Sequence, residues 1–281
     1  MKTLLNIPSL ALFWILRIVL LFRFSREDIQ MLMNLAKLQL KDRYLSSRLG
    51  LIWAIIQPVS FLVIYTIVFT FAFRPQLVES ESKFTYAIWV LTGMVPWLFI
   101  SESVMSGANS FISYGAIIKN IVFNVKLLPF ATITAAFLPL VIGLMFLLIL
   151  LIIAGNYPSW HCVFLIPQLI LQFLFFSALA FLTATWAVFL RDVLQILPTL
   201  LQIMIFVTPI FFPLKMMSRG LQIATFFNPL FQITEPYRSI LIDHKIPDLW
   251  GMGYLFLLSL ILMYFGIRLF KTTRGLFSAA L

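Results

Sequence analysis

Runs of apolar residues without Asp, Glu, Lys or Arg dominate the chain: Leu49–Phe73, Phe84–Ser101, Leu127–Leu190, Val193–Leu214 and Leu249–Ile267. A helix of about 18 to 20 apolar residues crosses the roughly 30 Å of bilayer hydrocarbon, so each run is a candidate span. Leu127–Leu190 holds 64 such residues, enough for two, and Gly155–Ser159 (GNYPS) divides it, because Gly, Asn and Pro break helices. The pattern predicts an all-α integral membrane fold of six spans, at about 49–73, 84–105, 127–154, 160–190, 193–214 and 249–270.

Three further segments carry patterns of their own. Ser25 with Asp28 fits a helix-capping box. After it, Ile29, Leu32, Ala36, Leu40 and Tyr44 recur at three- and four-residue spacing, with Gln30, Asn34, Lys37, Lys41 and Arg48 on the other side. This predicts an amphipathic interfacial helix. Two readings stand for it: a basic anchor on anionic lipid, or a helix that also bears on a cytoplasmic partner. The loop after the second span predicts a short helix at about 114–125, whose Ile117, Ile118, Ile121, Val122 and Phe123 are too apolar for a solvated linker. They suit a groove in another protein or the lipid interface. The fifth loop holds an uncharged stretch, Gly220–Thr234, too short to span and broken by Asn228-Pro229. A re-entrant pair of outer gate helices at about 218–242 is the economical reading. The organisation is therefore 1–48 interfacial, 49–271 transmembrane and 272–281 a short tail. Leu10–Phe22 is apolar but interrupted by Arg17, has no small-residue cleavage motif after it, and is too short to span. It reads as an uncleaved helix in the cytoplasmic leaflet.

Composition agrees: 62% of residues are hydrophobic and 11% charged, against roughly 25% charged in soluble domains. Charge placement adds orientation. Fourteen of the 20 Lys and Arg fall in the N-terminal segment, the second and fourth loops and the tail, which puts both termini in the cytoplasm. The net charge of +10 reflects this bias and attraction to anionic lipid rather than nucleic-acid binding. One cysteine, Cys162, excludes an internal disulfide and a cysteine metal cluster.

Candidate chemistry is sparse. Glu102 is the one charged residue within the spans, placed at the end of the second, where a carboxylate pairs locally or meets water more often than it catalyses. His161 and His244 lie far apart in outer loops, and no metal-ligand spacing or G-x-x-x-x-G-K-[ST] phosphate loop occurs. No internal repeat is visible, which weakens inverted-repeat transporter designs. Aromatics abound, and Tyr65, Tyr86, Trp89 and Trp97 in the first two spans pair flat apolar faces with polar tips, a surface on which sugar rings stack. Lipid-facing and helix-packing roles compete for the same residues.

Arg43-Tyr44, Ser47, Leu49-Gly50, Trp53 and Pro58 resemble the entrance signature of permease subunits of bacterial ABC exporters for polysaccharides and polyol phosphates, the O-antigen and teichoic-acid export family. Gly93, Pro96 and Trp97, then Ile118-Lys119 through Phe123, Arg191-Asp192, Thr208-Pro209-Ile210, Asn228-Pro229 and Tyr237-Arg238 continue the likeness in order, from about Asp28 onward. It departs at Asn124, where the family often has proline. The resemblance implies a homodimer in a bacterial inner (plasma) membrane with two copies of a separate ATPase subunit, which binds the ATP and Mg; this chain itself would hold no cofactor. It implies a polymer channel at the interface of the two permeases, for which Tyr65, Tyr86, Trp89 and Trp97 are the candidate aromatic lining. Lys119, Ile121 and Phe123 would contact the ATPase, and Asn228, Pro229, Tyr237 and Arg238 would form the gate. Arg43, Tyr44 and Arg48 would meet the pyrophosphate of a lipid-linked polysaccharide, with simple snorkelling to lipid phosphates as the competing role. An integral-membrane glycosyl- or acyltransferase is the alternative, and it lacks the clustered acids and histidines it would need.

Overall fold

The computed structural model describes residues 25–44, 48–72, 83–120 and 123–277. Among these the regular structure is helical, with no strand. In chain order the helices are α1 (Arg26–Tyr44), α2 (Trp53–Ile67), α3 (Lys83–Ser113), α4 (Gly115–Asn120), α5 (Leu127–Ile153), α6 (Leu165–Phe189), α7 (Asp192–Val207), α8 (Arg219–Phe226), α9 (Pro229–Leu241) and α10 (Leu249–Thr273). Five stretches are long and apolar enough to cross a membrane, at Trp53–Phe71, Thr85–Asn120, Leu127–Ile153, Trp160–Phe189 and Leu249–Thr273. The expected span at 193–214 is the exception. It ends at Val207 after 16 residues, because Pro209 drives Thr208 into extended backbone (φ −84°, ψ 123°).

α3 is the axis of the bundle: 72% of its apolar window is buried, against 22–39% in the other four. It packs on α2, α5, α6, α7 and α9, and α10 lies along α6. Small residues permit the closest approaches. A Cβ on Gly107 would lie 2.7 Å from the Cβ of Ala180, and one on Gly266 3.1 Å from the Phe181 ring, so backbones meet where lipid-like side chains would hold them apart.

Three expectations change in detail. α3 runs to Ser113 rather than stopping near 105, so Glu102 sits within the helix, not at its end. The weakly polar stretch Ser101–Ser113 continues because its small side chains pack inward: Ser103, Ala108 and Ser110 are buried. The short helix predicted at 114–125 ends at Asn120, and Phe123-Asn124 is irregular; Ile121 and Val122, like Leu10–Phe22, lie outside the described residues. α1 exists and is capped as expected: the Ser25 N–H donates to Asp28 Oδ2 at 3.1 Å and the Asp28 N–H to Ser25 Oγ at 3.1 Å. Its inward face is the expected one at Leu32, Ala36, Leu40 and Tyr44, and differs at its start and by the addition of Leu35 and Gln39. Leu35, Ala36, Gln39 and Tyr44 are buried while Ile29 is 53% exposed, since α1 lies against α5, whose first turns meet Leu35 and Ala36 in one apolar cluster.

Candidate functional site

Two arginine-centred sites stand at opposite ends of the bundle. The first is at the α1 end. Arg43, in the last turn of α1, places Nη2 2.5 Å from Glu102 Oε1 on α3 and donates to Ser106 Oγ at 3.1 Å. Ser106 Oγ in turn donates to Glu102 Oε1, closing a three-membered knot across the two helices. Ser106 follows Glu102 by one helical turn, which is why both reach the same guanidinium. Both charged side chains keep about 30% of their surface exposed. Further along α1 and the loop after α3, Tyr114 donates to Asp42 Oδ2 at 3.3 Å and Asn124 Nδ2 to Asp28 Oδ1 at 3.3 Å. The Ser25 N–H and the Asn124 amide together hold the Asp28 carboxyl below its ordinary range. Asn124, the departure from the family pattern, thus ties the segment after α4 back to the start of α1.

The expected entrance residues divide. Arg43 is engaged with Glu102, Arg48 is exposed, and Tyr44 is buried in the helix contact. The expected ATPase-facing residues divide too: Lys119 is exposed on α4, whereas Phe123 is half-buried against the apolar cluster that includes Leu35 and Ala36.

The second site lies where α7 breaks. Beyond Val207 the backbone is irregular, so its carbonyls need donors from elsewhere. Arg238, on α9 and 4% exposed, supplies them: Nη1 to Pro209 O at 2.8 Å and Nη2 to Ile210 O at 2.9 Å. Its counter-ion is Glu235, one turn earlier, at 3.2 Å. Its guanidinium lies 3.7 Å over the Trp89 ring. Gly93 makes room on α3, since a Cβ there would lie 2.8 Å from Arg238 Nη2. Asn228 completes the junction. Its Oδ1 caps α9 by accepting from the Leu230 N–H at 2.9 Å, its Nδ2 donates to Thr208 Oγ1 at 3.0 Å, and Pro229 fills the first helical position, where no N–H is needed.

α6 buttresses the same helix. Pro236 has no N–H to offer Gln232 O four residues earlier, and Gln168 Nε2 donates to that carbonyl at 3.5 Å and to Ile233 O at 3.2 Å. Tyr237, fully buried, donates to Gln172 Oε1 at 2.6 Å. So Gly93, Thr208-Pro209-Ile210, Asn228-Pro229 and Tyr237-Arg238, scattered over 146 residues of sequence, meet in one place.

The aromatic residues run into this junction. Tyr65 stacks on Phe69 (centroids 6.1 Å), Phe69 meets Tyr86 edge-on (5.9 Å), and Tyr86 stacks on Trp89 (6.2 Å) beneath Arg238. The Tyr86 hydroxyl donates to Phe211 O at 2.7 Å. Trp97 stands apart, 5% exposed in the core. Glu102 pairs locally, as expected of it, whereas Glu235, Gln168 and Gln172 carry much of the second site without having been singled out. The two glutamines, one turn apart in an otherwise apolar run, were the legible signal.

Membrane-length helices around a buried central one, with polar junctions at both ends, define an integral membrane protein of the transporter type. Residues 30–242 match the ABC-2 type transporter family, and the chain belongs to that family. It is similar to the O-antigen export system permease protein RfbA of Myxococcus xanthus, 27% identical over 268 residues covering 93% of this chain and 100% of that protein. The RfbA protein of Klebsiella pneumoniae is 25% identical, covering 86% and 91% of the respective chains. The polysialic acid transport protein KpsM of Escherichia coli is 26% identical, covering 83% and 90%.

Proposed function

We propose that this chain is the permease subunit of an ATP-driven exporter that moves a lipid-linked polysaccharide out across a bacterial inner membrane. The observation that carries the reading is the similarity, over 93% of this chain, to permeases named for O-antigen export. A homodimer fits the apolar surface left on α2 and α7: Ile56, Ile64 and Ile67 on one, Ile196, Leu200 and Ile203 on the other are exposed. Among the described residues these faces have no cover, and lipid or a second copy would supply it. The α1 end would face the cytoplasm, with α4 receiving the stroke of two ATPase subunits, and the α7–α9 junction would form the outer gate. Arg43 and Arg48 would meet the carrier pyrophosphate; for Arg43 that means exchanging Glu102 for phosphate, a step open to a half-exposed guanidinium.

The test is purification of the tagged chain from its native cell in mild detergent, followed by mass determination. A two-plus-two complex with a nucleotide-binding ATPase is expected; a monomer without ATPase or glycan would refute the reading. Because Phe123 is packed into the chain's own core, the exposed Ala116 on α4 is the better probe of that contact. Ala116→Arg is expected to reduce ATPase recovery at least fivefold while leaving the permease folded, and undiminished recovery would remove α4 from the interface.

A further inference from the structure

Beside the Arg43 knot lies a cavity of about 310 Å³ between α1, α3 and the first turns of α5. Its walls include Gln39, Asp42, Arg43, Asn109, Ser110 and Thr132, with Tyr114 at one side. Polar lining at this density is unusual in a chain that is 62% hydrophobic, and α1 and α3 bring it together by turning their polar faces toward each other. Two of the lining groups are unsatisfied: Gln39 Nε2 and Ser110 Oγ have no hydrogen-bond partner, although Gln39 is 7% and Ser110 2% exposed. Buried donors without partners are rare, because desolvating them costs free energy that only a bond returns. Neither atom has open surface as it stands, and each meets a ligand by a rotation of its side chain toward the cavity whose wall it belongs to.

Charge decides what that is. The one cation in the wall, Arg43, is already bound by Glu102, and Asp42 adds a second carboxylate. A phosphate inside the cavity would face the Asp42 carboxylate, and Arg43 can serve one anion at a time, Glu102 or the carrier phosphate. A neutral group rich in hydroxyls meets what it needs: Gln39 as donor, Ser110 as donor or acceptor, Asp42 and Asn109 as acceptors, and the Tyr114 ring as an apolar face. The volume lies at the small end of the roughly 300–1,000 Å³ typical of ligand sites, the scale of a single ring rather than a polymer. We propose that this cavity receives one uncharged sugar unit of the exported glycan before the chain enters the membrane. The proposal rests on the exporter reading above and adds a subsite to it.

The test uses the whole exporter in its native cell. A photoreactive benzoylphenylalanine at Ser113, on the exposed rim, is expected to crosslink to glycan, detected by an antibody or lectin against the polymer. Ser110→Leu, which fills the cavity, is expected to lower that adduct at least fivefold. Should Ser110→Leu fail to co-purify with the ATPase, Ser110→Ala serves in its place, with at least a twofold loss expected. A second probe at Tyr65 separates the two levels of the claim. Glycan captured at Tyr65 but not at Ser113, or a Ser113 adduct that the Ser110 substitutions leave unchanged, overturns the cavity while sparing the exporter. Glycan captured at neither overturns both. A Ser113 adduct containing phospholipid without glycan overturns the sugar assignment in favour of a headgroup.

Discussion

Arg43 and Arg238 sit at opposite ends of one helical bundle, and each reaches a carboxylate, yet they are built for different ends. Arg238 is nearly inaccessible, splints two backbone carbonyls that a proline has orphaned, and lies on a tryptophan face over a glycine. Arg43 is about 30% exposed and, among the described residues, bonds to two side chains, Glu102 and Ser106. A guanidinium bonded to buried backbone cannot change partners without unmaking the local fold. One bonded to half-wet side chains can. The difference assigns Arg238 to holding a junction together and leaves Arg43 able to take an anionic ligand in exchange for Glu102.

The largest effect should come from breaking the buried junction. Arg238→Ala leaves the Pro209 and Ile210 carbonyls without donors, and removing a buried charged donor costs about 3 kcal/mol or more. A clear fall in the thermal unfolding temperature of the purified protein, by several degrees, is expected, with loss of export. Gly93→Ala should do less, because its methyl displaces the guanidinium without deleting it. Since Gly93 and Arg238 act on one contact, the double substitution should cost little more than Arg238→Ala alone. Additive losses would show that the glycine serves something other than the arginine.

Much of this was legible in the sequence, and the pattern of what was not is physical. Uncharged runs gave five membrane-length helices, and Ser25 with Asp28 gave the capped start of α1, because both signals are local. The motif residues were visible, but as separate short words: nothing local to Gly93 reveals that Arg238 lies above it. Helix ends were misjudged where neighbours decide them. Ser101–Ser113 reads as a fading span until α5 and α6 are seen to accept its small residues, and the inward face of α1 is wider than its apolar spacing because Gln39, polar by type, is buried at the polar cavity. Glu102 was noticed and expected to pair locally, but its partner, 59 residues away in sequence, is set by tertiary packing alone.

A smaller effect on stability, and a diagnostic one on function, is expected at the other arginine. Pairs this exposed contribute about 1 kcal/mol or less, so Arg43→Gln and Glu102→Gln should each leave the unfolding temperature and ATPase recovery nearly unchanged. Export should separate them. Arg43→Gln removes the cation and is expected to lower export at least fivefold, whereas Glu102→Gln releases it and should leave export at or above the unsubstituted level. Equal loss in both would mean that the ion pair itself is what matters, and Arg43 would then resemble Arg238 after all.

The smallest effect on stability belongs to Asn124. Its amide bond to Asp28 is exposed and 3.3 Å long, so Asn124→Ala should cost no more than about 0.5 kcal/mol. The bond nevertheless joins the segment after α4 to the first turn of α1, and the Tyr114 bond to Asp42 joins the residue just before α4 to the last turn. If α4 takes the ATPase stroke, α1 is the element these two ties would carry along, and α1 leads directly to the foot of α2. Asn124→Ala should therefore leave assembly and ATP hydrolysis intact while lowering glycan exported per ATP by about twofold, within the range expected for mutations that alter coupling without touching either ligand. A ratio that does not move would mean the stroke reaches the spans through α3 alone, and that the exposed ties at the foot hold α1 in place without transmitting anything.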